Sequence, residues 1–252
     1  MSEPFILAQL SDTHVRTDDG GAAVRNLRRA LAQANEYKPD VVLLTGDLVN
    51  DERAEEYTAL AEALTDAPEP LYLLPGNHDD RALLRKAFPT HAYLPRSGAL
   101  SFTIDDFPVR VVCVDQIVPG ETHGVLTQEG AEWLDRALSA AAEKPTVLAL
   151  HHPPFPTHDK LFDTIGLRDG ALLSSVVARH RQVIRIICGH HHRVALGQVA
   201  HAPTVIAPST SWVYGLALHP GQLVAPKTPE QPGWMLHVWT ADGGMASHFM
   251  GL

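Results

Sequence analysis

The chain has 252 residues, a formal charge of −9, 45% apolar residues and 19% charged ones. That is enough chain for a proper core and an ordinary globular composition, which excludes disorder. The acidic balance argues against sequence-independent binding to a nucleic-acid polymer, which needs a basic surface; it leaves room for a small phosphorylated substrate, because bound cations reverse the local field.

Near the start, "FILAQL" predicts a buried strand with no basic segment before it. No apolar run approaches the roughly 20 residues of a membrane helix, so the expectation is a cytoplasmic protein without a membrane partner. "AAVRNLRRALAQANEY" follows, with Val24, Leu27, Leu31 and Ala34 on one helical face and Arg25, Arg28 and Arg29 elsewhere. "DVVLLTG" predicts a second strand, "DERAEEYTALAEALTDA" a second helix and "LYLLPG" a third strand. "VRVVCVD", the helix "TQEGAEWLDRALSAAAE" and the strand "TVLALHH" come next. Residues 153–170 are irregular, and either form a lid or an ordinary surface loop, with His158 and Asp159 facing solvent. A fourth helix, "LRDGALLSSVVARH" with Asp169 near its start, leads to the strand "VIRIICGH". Cys113 and Cys188 lie inside apolar runs and read as buried thiols rather than a disulfide. From about Val194 the chain turns β-rich, with two hairpin-like stretches around the Pro- and Gly-rich loop "HPGQLVAPKTPEQPG". Strands alternating with helices predict a layered α/β sandwich, and one domain over residues 1–252 is the simplest account.

The strand ends carry the chemistry. They finish in Asp12-Thr13-His14, in Gly46-Asp47 with Asn50 behind, in Gly76-Asn77-His78-Asp79, in His151-His152-Pro153-Pro154 and in Gly189-His190-His191-His192. Alone, the first is a turn with a bonded aspartate and the second a plain exit from a strand. In the third, no turn requires a histidine between Asn and Asp. Ligand sites of α/β sheets form at the carboxyl ends of strands, so the five groups converge, and together they point to a metal site. Carboxylate and amide oxygen with imidazole nitrogen suits Mn, Fe, Co, Ni or Zn. Two such ions about 3.5–4 Å apart need a bridging anion, and together make hydroxide from a shared water at neutral pH. That hydroxide can attack phosphorus in line.

In this order the motifs D-x-H, GD, GNHD, HHPP and GHxH resemble the calcineurin-like metallophosphoesterase superfamily, over nearly all of residues 5–192. "GNHD", "LHHPP" and "CGHxH" most resemble its bacterial class III cyclic nucleotide phosphodiesterase and glycerophosphodiesterase branch. The resemblance implies a four-layer α/β/β/α metallophosphoesterase sandwich holding two divalent transition-metal ions (Mn, Fe, Co or Zn). Asp12, His14 and His192 would hold the first ion, Asp47 would bridge, and Asn77, His151 and His190 would hold the second. His151 is chosen over His152 because the first histidine of HHPP is the usual ligand. His78, with Asn77, would contact the phosphate; His78 would also protonate the leaving oxygen, with Asp79 orienting its ring.

The implied activity is hydrolysis of a small phosphodiester, a 3′,5′-cyclic nucleotide or a glycerophosphodiester, by a metal-bridging hydroxide. The same core serves phosphomonoesterases, including nucleotidases and protein phosphatases. A non-catalytic scaffold is expected to have lost ligands, whereas all seven positions and His78 are filled here. The sequence departs from the pattern after the last motif. Relatives often carry a histidine there, and "PSTSWVYG" has Trp212 or a neighbour instead, with His201 and His219 nearby in sequence.

Around this set, Arg16 either meets a substrate phosphate or caps the first loop, and Asn50 either orients a water or closes a turn. Trp212 and Tyr214 either stack a nucleobase or pack an interface. His190 and His192 share a side because a strand alternates, which leaves the role of His191 open. The oligomeric state is open too, a homo-oligomer included.

Overall fold

The computed structural model describes residues 3–222 and 225–252. The elements run β1 (Phe5–Leu10), α1 (Ala22–Glu36), β2 (Val41–Thr45), α2 (Ala54–Ala63), β3 (Leu71–Leu74) and α3 (Arg81–Ala87). Next come β4 (Phe102–Ile104), β5 (Arg110–Cys113), α4 (Gln128–Ser139), β6 (Thr146–Ala149), α5 (Phe162–Ile165), α6 (Gly170–Ala178) and β7 (Val183–Cys188). The last are β8 (Ala195–Val199), β9 (Ala202–Ile206), β10 (Val213–Tyr214), β11 (Lys227–Thr228), β12 (Gly233–Thr240) and β13 (Gly244–Gly251).

Two sheets, ordered β13-β12-β1-β2-β3 and β4-β5-β6-β7-β9-β8, lie face to face. Alternation along the strands builds the layers. In β1, Phe5 and Leu7 join Val111, Val147 and Ile187 of the other sheet in the central core. Ala8 and Leu10 point outward, onto Leu27 and Leu31 of α1 and Leu60 of α2. In the second sheet Val147 and Ala149 face inward, while Leu148 and Leu150 meet Leu134 and Leu138 of α4 and Val176 and Val177 of α6. The result is the expected four-layer α/β/β/α sandwich.

All four expected helices form. Two further helices escape the periodicity because each is so short. Seven-residue α3 starts where the Asp80 carboxylate accepts the Leu83 N–H, and α5 has only four residues. The β-rich tail is not an appendage: β8 and β9 complete the second sheet, while β12 pairs antiparallel with β1 over five residues and brings β13 with it. The Pro- and Gly-rich loop contains β11, and its residues 223–224 lie outside the described ones. Cys113 and Cys188 are buried and free, on opposite faces of the second sheet. Among the described residues, no helix is long and apolar enough to cross a membrane.

Candidate metal centre

The loops leaving β1 and β2 run side by side. Asp12, His14 and Val15 donate their backbone N–H groups to the carbonyls of Gly46, Asp47 and Leu48, at 2.9, 2.9 and 3.0 Å. The second sheet joins them where the His190 N–H donates to both Asp12 carboxylate oxygens at 3.1 Å. Residues from five strand ends of two sheets thus meet at one place.

Two buried groups result. In the first, one atom from each of Asp12, His14, Asp47 and His192 lies within 4.8 Å of all the others; in the second, the same holds for His151, His152 and His190. Asp47 faces both. Its Oδ2 is 3.6 Å from His14 Nε2, and its Oδ1 is 3.2 Å from His151 Nε2. Asn77 Oδ1 also lies 3.2 Å from that nitrogen. His151 therefore addresses the shared carboxylate, whereas His152 points Nε2 at the Thr122 carbonyl, 3.2 Å away.

The backbone is strained at this place. Asp12, His14, Asp47, His190 and His192 all have positive φ, between 42° and 70°. Non-glycine residues enter that region rarely and at a cost of about 1–3 kcal/mol, and they cluster at functional sites. The same observation corrects the argument that a strand's pleat aligns His190 and His192. β7 ends at Cys188, and the two side chains are turned by left-handed backbone beyond it. Gly46, at φ +97°, is held open for a ring: a Cβ there would sit 2.3 Å from His151 Nδ1. Gly46→Ala is expected to destabilise the protein by about 3–5 kcal/mol, combining strain and overpacking. Urea unfolding measures it, and a loss below about 1 kcal/mol would show that the His151 ring can retreat.

The nitrogen chemistry suits a cation. His192 Nδ1–H donates to the Trp212 carbonyl (3.1 Å), so its Nε2 keeps a lone pair, aimed at His14 Nε2 3.0 Å away. One proton could serve that contact, but it leaves His14 Nδ1 buried without a partner, and His190 Nε2 has none either. His151 Nδ1–H donates to the Thr45 carbonyl (2.8 Å), which directs its Nε2 at the Asp47 and Asn77 oxygens. Carboxylate, amide and imidazole donors crowded this way fit borderline divalent metal ions.

Electrostatics point the same way. Burial pushes His14 down to about 3 and holds His190 and His192 well below the ordinary histidine range, so all three are neutral and lone-paired. Burial also lifts Asp12 to about 7. It works against ionised Asp47 too, but His151, His78 and His14 outweigh it and hold that carboxyl well below the usual range.

The residues beside the metal groups sort themselves. His78 donates its backbone N–H to Asp47 Oδ1 (2.9 Å) and Nδ1–H to the Asn50 carbonyl (2.7 Å). Asn50 thus fixes the ring through its carbonyl, while its side-chain amide bonds Asp51. Asp79, expected to orient that ring, is spent elsewhere. It accepts the N–H groups of Leu48, Val49 and Gly76 and the Tyr57 hydroxyl, and reaches His78 through charge alone. Arg16, expected at a phosphate or as a loop cap, closes on Asp18 at 2.5 and 3.0 Å.

Asp159 is fully buried, not solvent-facing. Its carboxylate accepts from Leu161, Phe162 and Ala217, and it stands 3.5 Å from His191 Nε2. His191 is thereby turned from the metal groups toward the 153–170 segment. That segment, in turn, supplies Leu161, Phe162 and Ile165 to one wall of a cavity of about 310 Å³ over the site. Trp212, Tyr214, Ala225, Asn50, Asn77, His78 and Thr122 line it as well. Among the described residues, no lysine or arginine lines the cavity. His201 sits in the turn between β8 and β9, and His219 is exposed in a loop.

Comparison with known proteins agrees with this geometry. The family profile described as calcineurin-like phosphoesterase matches residues 6–194. A probable glycerophosphodiester phosphodiesterase, GpdQ of Arcobacter nitrofigilis, is 30% identical over 97% of this chain and 92% of its own. The 3′,5′-cyclic adenosine monophosphate phosphodiesterase CpdA of Pseudomonas aeruginosa is 29% identical over 81% of this chain and 76% of its own. Among solved structures, a dimetal phosphatase from Danio rerio superposes with a TM-score of 0.72 at 14% identity, covering 99% of this chain and 97% of that one.

Proposed function

This chain belongs to the calcineurin-like phosphoesterase family, and from that premise we propose how it works as a metal-dependent phosphoric diester hydrolase acting on small phosphodiesters. The observation that carries the proposal is the placement of Asp47, one oxygen toward each buried group. Asp12, His14 and His192 would hold one divalent ion, Asn77, His151 and His190 the other, and Asp47 would serve both. When bound, the pair supplies a nucleophile from water at neutral pH and offsets charge gathering on the phosphate.

The chain's own residues do the rest. The Asn50 carbonyl fixes His78 through Nδ1, which leaves Nε2 to meet the phosphate and protonate the departing oxygen. Burial lowers the proton affinity of His78, but Asp47, the Asn50 carbonyl and Asp79 more than restore it and favour the acid form. The wall of Leu161, Phe162 and Ile165 keeps bulk water off one side of the site. With no lysine or arginine among the described residues that line the cavity, binding of the phosphate falls to the metals, Asn77 and His78.

A glycerophosphodiester and a 3′,5′-cyclic nucleotide are the substrates to try first, the classes that the names of the two relatives give for those proteins. Two test compounds decide the reaction type. Protein reconstituted with Mn²⁺ or Co²⁺ should hydrolyse bis-p-nitrophenyl phosphate faster than p-nitrophenyl phosphate. Preference for the monoester would replace this reading with a phosphomonoesterase, and turnover of neither would revive a scaffold.

A further inference from the structure

Trp212 takes no part in the ligand set, yet its ring and its backbone both contact the first group. Its ring lies 4.6 Å from the His14 ring at 33° and 5.1 Å from the His192 ring at 47°. Its carbonyl accepts His192 Nδ1–H, and its N–H donates to Ser209 Oγ (3.2 Å), whose hydroxyl donates to the Asp12 carbonyl (2.7 Å). Lys227 Nζ stands 3.6 Å from the ring centroid, a further contact that holds the ring in place. None of the ring's aromatic contacts reaches His151, His152 or His190.

An imidazole swivels freely about the bond to its ring, a broad two-fold torsion. A ligand left to swivel loses the directed lone pair a metal needs. A flat face wedged against two such rings removes that freedom from both.

We propose that Trp212 is a positioning residue that fixes the ring planes of His14 and His192, and so sets metal affinity at the Asp12–His14–Asp47–His192 group alone. The inference rests on reading the two groups as metal sites. Partners that orient metal ligands contribute about 10–100-fold in affinity.

The test is calorimetric titration of the chelator-treated full-length protein with Mn²⁺. Wild type should take up two ions. Trp212→Ala, which keeps the backbone bonds and removes only the ring, should weaken one binding event by about 10–100-fold and leave the other unchanged. Trp212→Phe should recover to within about threefold of wild type. In a His151→Ala background, where the first group binds alone, Trp212→Ala should weaken the remaining event by the same factor. If Trp212→Ala does not fold, as judged by circular dichroism, Trp212→Leu keeps bulk without a flat face and carries the same expectation. Two unchanged events, two equally weakened events, or a Trp212→Phe variant as weak as alanine would each overturn the inference. A wild type that binds no second ion would instead overturn the dinuclear reading beneath it.

Discussion

Replacing His78 with alanine should lower kcat for diester hydrolysis by about 10²–10⁴, the usual contribution of a placed general acid, while both metal ions stay bound. The separation follows from where the ring lies. His78 packs edge-on against His14, with centroids 4.8 Å apart, but it is anchored by the Asn50 carbonyl rather than by the metal groups. Its contact with Asp47 is made by its backbone N–H, which alanine retains. The loss should also depend on the leaving group. A good leaving group such as p-nitrophenolate needs little protonation, so the variant should fall less on bis-p-nitrophenyl phosphate than on an alkyl diester. The acid form is required, so wild-type rate should decline as pH rises through the elevated pKa of His78, and the variant should lack that limb. Metal analysis alongside kinetics checks the account. A metal content that drops with the activity would make His78 a ligand instead.

Much of this site was legible because metal chemistry concentrates a few residue types where strands end. The five strand ends could be picked out since each follows an apolar run, while the choice of Asp12, His14, Asp47, Asn77, His151, His190 and His192 within them came from the family resemblance; the structure draws those run ends together, with His152 beside His151 and His190. A layered α/β sandwich was legible for a related reason, since runs such as "DVVLLTG" are apolar on both sides, as a strand covered on two faces must be; the number of layers came from the family resemblance. What escaped depends on contacts between distant segments. Asp159 looks like a loop residue, and nothing nearby shows that Leu161, Phe162 and Ala217 will all donate to it. The family resemblance implied that Asp79 orients the neighbouring His78 ring. A loop that folds back on itself instead gives the Asp79 carboxylate three backbone N–H groups to satisfy. Nor does local sequence show that β12 will reach across to β1, because strand order is settled by the whole sheet.

Asp47→Asn is expected to have the largest effect of any single substitution, lowering kcat/KM by at least about 10³, or roughly 4 kcal/mol of transition-state stabilisation. The substitution preserves volume and one oxygen, so what it removes is charge. Both halves of the site depend on that charge: Asp47 faces His14 at 3.6 Å and His151 at 3.2 Å from opposite oxygens. Two divalent ions in adjacent sites repel, and a neutral amide does little to offset the repulsion. Binding of the second ion should therefore weaken more than binding of the first, and titration with Mn²⁺ should approach a single ion per chain. The metal-free protein should respond as well. Burial lowers the pKa of His151, but Asp47 raises it past its ordinary value to about 9. A histidine raised in the folded state contributes stability that is full below about 6.5 and is lost as pH climbs through about 9. Without the Asp47 charge this contribution should shrink, so chelator-treated Asp47→Asn should melt below wild type at pH 6 by more than it does at pH 9.5. An equal deficit at both pH values would mean that Asp47 acts on the fold through shape. Two ions bound at wild-type affinity would mean that it does not bridge.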